Sequence, residues 1–143
     1  MDEWICIGMD DKLDLEFTRI SSALKNFSLP AVDCVVGIAE GGIVPAALIA
    51  HQLGLPLRLL RINYRAVDNS PQRPAPTLLA LVPLFPVGGR VLLVDDVSVS
   101  GQTLELARSL LSEHEVITFT LKGMADFVLF PEIGSCVNWP WKA

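Results

Sequence analysis

Apolar and polar positions divide this chain into blocks with two periods. Residues 34–39 and 91–94 are almost unbroken apolar runs, the pattern of strands buried on both faces of a parallel sheet, and residues 57–63 predict a further strand in which Arg58 and Arg61 interrupt the apolar positions. Between and behind them the spacing is helical. Leu13, Phe17, Ile20 and Leu24 predict an N-terminal helix after an acidic start at Asp10 and Asp11, residues 44–53 predict a second helix, and Leu104, Ala107 and Leu111 mark a third. Further strands are expected at 77–82, 115–121 and 127–130. Residues 66–89 differ in character: Pro71, Pro74, Pro76, Pro83 and Pro86 accompany Asp68, Asn69 and Ser70, which reads as a long excursion around the 77–82 strand. A loop of that length in a compact domain is usually functional, and a lid is the natural expectation. Alternating strands and helices give an α/β class with a mainly parallel sheet.

Composition narrows this frame. The 143 residues, 51% of them hydrophobic, suffice for the core of one domain, expected to span 1–143. A net charge of −5 argues against a nucleic-acid partner, which a basic face normally meets. Apolar stretches are broken by Gly, Pro or charge well short of a bilayer's thickness, so no membrane span is expected. Cys6, Cys34 and Cys136 are odd in number and lack metal-ligand spacing, which suggests reduced thiols and a cytoplasmic setting. His51 and His114 have no catalytic neighbours and read as solvated.

The chemistry concentrates in VLLVDDVSVSGQTLELARSLL, residues 91–111. An apolar strand ends in two acids, and a small loop then opens an amphipathic helix. Residues Val97, Ser98, Val99, Ser100, Gly101, Gln102 and Thr103 offer backbone N–H groups, hydroxyls and a tight bend, at the positive end of a helix. A phosphate can sit there. Asp95 and Asp96 stand just beside it, placed for ribose hydroxyls or for a magnesium ion that bridges both. A receiver domain also has acids after its strand, but the residues left after Arg90 are too few for its five strand–helix units. A Walker loop is excluded because no glycine-lysine-hydroxyl triplet follows. An ordinary strand–turn–helix, its acids merely favouring the helix start, stays open on residue types alone.

VLLVDDVSVSGQTL resembles the phosphoribosyl-pyrophosphate signature of type I phosphoribosyltransferases, with both acids, the glycine and Thr103 in place. The resemblance implies that the acids hold the ribose 2′- and 3′-hydroxyls, with Mg2+ nearby, and that the loop holds the 5′-phosphate. A second segment, CVVGIAEGGIVPAA, is similar to the family's pyrophosphate loop, Gly-x-x-x-Gly-Gly-x-x-Pro-Ala, through Gly37, Gly41, Gly42, Pro45 and Ala46. It implies pyrophosphate binding by Ala39, Glu40, Gly41 and Gly42, and a cis peptide at Ala39–Glu40. The tail, CVNWPWK, looks like the hood of the 6-oxopurine branch. There a lysine, here Lys122, bonds the purine oxygen, and an aromatic segment stacks on the ring. Lys122, Pro140 and Trp141 match. Cys136 stands where the stacking aromatic would be, leaving Val137 or Trp139 for that work, though both tryptophans could equally pack the chain end onto the core.

The family implies a three-layer α/β/α fold with strand order 3-2-1-4-5-6, an antiparallel third strand, a lid at about 66–89 and a hood at about 122–143. It implies transfer of 5-phosphoribose from 5-phosphoribosyl 1-pyrophosphate to a nucleobase, an oxopurine by the tail, in a homodimer. Two more departures stand out. Val99 replaces the loop aspartate of many 6-oxopurine enzymes, and Glu40 replaces the usual loop Arg or Lys. Arg61 and Arg65 are the nearest basic residues to restore that cation, unless a second copy supplies one. The other function class is a non-catalytic nucleotide or phosphoribosyl-pyrophosphate sensor on the same scaffold.

Overall fold

A computed structural model describes residues 12–63, 77–81 and 89–142. Its main sheet is built from β2 (Cys34–Ala39), β3 (Leu57–Asn63), β4 (Thr77–Leu81), β5 (Arg90–Ser98), β6 (Glu115–Gly123) and β7 (Phe127–Val128), following a two-residue β1 (Leu13–Asp14). The strand order is β4-β3-β2-β5-β6-β7. All pairings are parallel except β3 with β4. This is the order the resemblance implied, with its third strand antiparallel.

The apolar runs explain the layering. Every residue of β2 is buried, because helices cover both faces of the sheet. On one face Val35, Leu92, Val94, Phe119 and Leu121 pack with Ile20 and Leu24 of α1 (Phe17–Asn26) and with Ala46 and Ile49 of α2 (Ile43–Leu53). On the other face Cys34, Val36, Ile38, Leu60 and Leu93 meet Leu104 and Ala107 of α3 (Gln102–Leu110). The result is a three-layer α/β/α sandwich. Ile20 and Leu24 lie one helical turn apart and are 0% and 1% exposed, so truncating either to Ala would cost about 2–5 kcal/mol.

Three expectations are corrected. Leu13 does not open the N-terminal helix, although it keeps the helical spacing. Its N–H donates to the Cys136 carbonyl at 2.8 Å, and β1 pairs in parallel with β8 (Val137–Asn138) in a separate ribbon. The fourth strand of the sheet does not stop at Val94. It runs to Ser98, because Asp95, Val97 and Ser98 continue in register with Thr120, Lys122 and Gly123. The cysteines are not all reduced: Cys34 is free and buried, whereas Cys136 is disulfide-bonded. Cys6 lies outside the described residues, as does most of the expected lid, of which only 77–81 and Gly89 are described. Among the described residues no helix is long and apolar enough to cross a membrane.

Candidate functional site

The predicted motifs converge at the carboxyl ends of β2, β5 and β6, the end where open α/β sheets take ligands. β5 delivers Asp95 and Asp96, 9% and 7% exposed. Their backbone geometry is fixed locally: Asp96 N–H donates to Asp95 Oδ1 at 2.8 Å, and Val97 N–H donates to Asp96 Oδ1 at 2.7 Å. Burial is the main force on Asp95. Together with the adjoining Asp96 carboxylate it pushes the Asp95 carboxyl well above the usual carboxylate range, while Lys142 pulls the other way.

The glycine loop lies directly on this pair. The Ala39–Glu40 peptide is cis, as the resemblance implied. Gly41 then passes so near Asp96 that a Cβ there would stand 2.5 Å from Asp96 Oδ2, and any larger residue would have to displace that carboxylate. Gly42 caps α2, so the head of that helix also faces this region. The loop acid Glu40 is held by Arg61, Nη1 to Oε2 3.1 Å, because parallel register sets Ala39 opposite Arg61. Both side chains are exposed, at 79% and 46%, and such a pair is worth about 1 kcal/mol or less. Arg65 lies outside the described residues.

The phosphate loop departs from its reading at one end. Val97 and Ser98 belong to β5 and not to the loop, and the Val97 N–H is taken by Asp96. The turn proper is Val99, Ser100 and Gly101. Gly101, with φ 82°, caps α3 and has no side chain to bond the helix's first amides. Gln102 N–H reaches Ser100 Oγ at 3.3 Å. Thr103 sits in the first turn of α3.

Of the expected base-binding residues, Lys122 lies near the end of β6 beside Val97, half-buried, and burial lowers the affinity of its amine for a proton. No ion pair is made to it among the described residues. Val137 is half-buried in the β8 ribbon. Trp139 is 3% exposed within the core, and its ring stacks on Trp141, centroids 5.5 Å apart and planes 7° apart. Trp139 therefore has little open ring surface for a base, and the half-buried Trp141 is the member of the pair that reaches the surface. His51 is exposed, as read, but His114 is half-buried with Nδ1 enclosed and without a hydrogen-bond partner among the described residues.

Lys142 was not singled out from sequence. Its Nζ stands 3.5 Å from Asp96 Oδ2, held near by a turn in which Lys142 N–H donates to the Trp139 carbonyl at 3.1 Å. The available signal was a lone lysine one residue past the tail's Pro-Trp, which local pattern cannot tell from a solvated charge.

Residues 21–123 match the phosphoribosyl transferase domain. The chain belongs to the phosphoribosyltransferase family. Within that family it is similar to a xanthine-guanine phosphoribosyltransferase from Cereibacter sphaeroides, 36% identical over 77 residues, 53% of this chain and 46% of the relative. It is also similar to an adenine phosphoribosyltransferase from Acidothermus cellulolyticus, 32% identical over 100 residues, 66% of this chain and 56% of the relative. The matched segments thus span about half the length of these curated relatives. A crystal structure of a purine phosphoribosyltransferase from Pyrococcus horikoshii shares the fold, with a TM-score of 0.75 at 24% identity over 92% of this chain and 95% of that one. Relatives named for oxopurine and for adenine substrates both match, so the comparisons establish the family and not its oxopurine branch.

Proposed function

We propose that this phosphoribosyltransferase moves 5-phosphoribose from 5-phosphoribosyl 1-pyrophosphate to a nucleobase, an oxopurine by preference, and releases pyrophosphate. The observation that carries the reading is the meeting of three elements at one point: the Asp95–Asp96 pair, the glycine loop laid against Asp96, and the glycine-capped head of α3 beyond Ser98. An activated phosphopentose needs those three contacts. The carboxylates accept hydrogen bonds from the ribose diol, the amides at Gly101, Gln102 and Thr103 hold the 5′-phosphate, and the Gly41–Gly42 backbone faces the diphosphate.

Reaction joins a ring nitrogen of the base to C1 as the C1–O bond breaks; the electron pair of that bond leaves with pyrophosphate, and the proton displaced from the base passes to water. The sugar passes through an oxocarbenium-like state, so the site's work is orientation and charge stabilisation and needs no covalent nucleophile. Lys122, a partly desolvated cation, suits the exocyclic oxygen of an oxopurine better than an amino group, and Trp141 offers an aromatic wall.

The acids fit Mg2+ in one particular way. Among the described residues no cluster of three or more metal-ligating side chains exists, whereas Mg2+ commonly takes one or two carboxylates with substrate phosphates and water. Asp95 and Asp96 would hold an ion that arrives with the sugar diphosphate, where it would offset the charge of the leaving group.

The test is pyrophosphate release from 5-phosphoribosyl 1-pyrophosphate with hypoxanthine, guanine, xanthine or adenine as acceptor. Turnover with the oxopurines above that with adenine is expected. Saturable binding of the sugar diphosphate with no pyrophosphate released under any acceptor would instead identify a binding module.

A further inference from the structure

A leaving diphosphate is best met by a cation, and the glycine loop of this chain does not bring one. It brings Glu40, and the arginine that register places alongside, Arg61, is engaged with that acid at 3.1 Å. A cation reaches the same spot from the far end of the chain. Lys142 Nζ is 3.5 Å from Asp96 Oδ2, and that oxygen is also the atom nearest to where a Cβ on Gly41 would stand. The ammonium and the glycine loop therefore meet at one carboxylate oxygen. The placement is built. Leu13 pairs with Val137, Asn138 Nδ2 donates to Asp14 Oδ1 at 2.8 Å, Trp139 is buried and stacked on Trp141, and a turn back to the Trp139 carbonyl sets the lysine. The lysine side chain itself is 52% exposed and can turn without disturbing that frame.

We propose that Lys142 is the diphosphate-binding cation of this site, delivered by the C-terminal tail in place of the loop; the inference rests on the phosphoribosyl reading above. In the free protein the ammonium neutralises Asp96. When a ribose diol takes that carboxylate as acceptor, the ammonium turns to the diphosphate on C1 and stays with it as the C1–O bond breaks. The exchange leaves neither charge unmet, because the diol takes over the Asp96 carboxylate as the half-exposed lysine turns to the diphosphate.

Titration calorimetry of the whole chain in Mg2+ buffer, with ribose 5-phosphate and with 5-phosphoribosyl 1-pyrophosphate, separates the roles. Lys142→Gln should weaken the diphosphate ligand by about tenfold or more, while ribose 5-phosphate stays within about twofold or binds more tightly. Lys142→Arg should restore most of the loss, and an unchanged near-UV signal from the stacked tryptophans confirms the tail in each variant. Equal weakening of both ligands would make Lys142 a prop for the diol carboxylate, and no change in either would make it a surface charge; each overturns the proposal alone. If the unaltered chain binds neither sugar phosphate, the phosphoribosyl reading falls and takes this inference with it.

Discussion

At its amino end β5 starts with Arg90, whose guanidinium pairs with Glu115 at 3.2 Å and donates to the Ala31 carbonyl, while its own N–H donates to Asp33 Oδ2 at 2.8 Å. Towards its carboxyl end the same strand carries two buried acids side by side, with one half-exposed lysine as counter-charge. A groove of about 350 Å³ lies at the amino end, lined by Ala31, Val32, Asp33, Arg90 and Glu115. Its charges are already matched within the fold, so it offers a ligand little. The carboxyl end offers much, because its like charges and glycine-capped helix head are left for something else to complete.

The largest effect that would break this contrast is on sugar binding. Asp96→Asn should weaken ribose 5-phosphate about a hundredfold, since a charged acceptor for the diol is lost, with the circular dichroism spectrum unchanged. Unaltered affinity by calorimetry would refute the assignment of the acids. Next comes stability against pH at Asp95. The carboxyl is held above its ordinary value in the fold, so the unfolded chain gives up the proton first. Stability is therefore lost as pH rises from the ordinary carboxylate range through the raised value, and the loss persists at neutral pH. Asp95→Asn should remove this fall and melt higher at pH 7, by roughly 2–4 °C for each kcal/mol recovered, while losing sugar affinity. A variant no more stable than the parent across that pH range would show that the carboxylate is not penalised by the fold. The smallest effect belongs to the other end. Arg90→Gln should cost about 1 kcal/mol or less in urea denaturation and leave ribose 5-phosphate binding unchanged, because its ion pair is exposed. A loss of ligand affinity there would erase the difference between the two ends.

What the sequence disclosed follows the range of the interactions. Strands 34–39, 57–63 and 77–82 were legible as runs, and the observed β2 and β3 keep those bounds. Strand order and the cis bond were legible only through the two motifs. Boundaries failed where polar residues continue a ladder: Asp95 and Asp96 look like the end of a strand, yet β6 keeps pairing beyond them. Contacts between the chain's ends left no local trace. Leu13 keeps a helical period while its N–H belongs to Cys136, and the Lys142–Asp96 pair joins residues far apart in sequence. Trp139 and Trp141 are equal as letters, and only the turn at the tail decides which one is enclosed.

The short ribbon of β1 with β8 has a practical consequence. Because Leu13 and Asp14 pair with the strand that leads to Lys142, a substitution that frays this ribbon should disturb the counter-charge of Asp96 while touching neither acid.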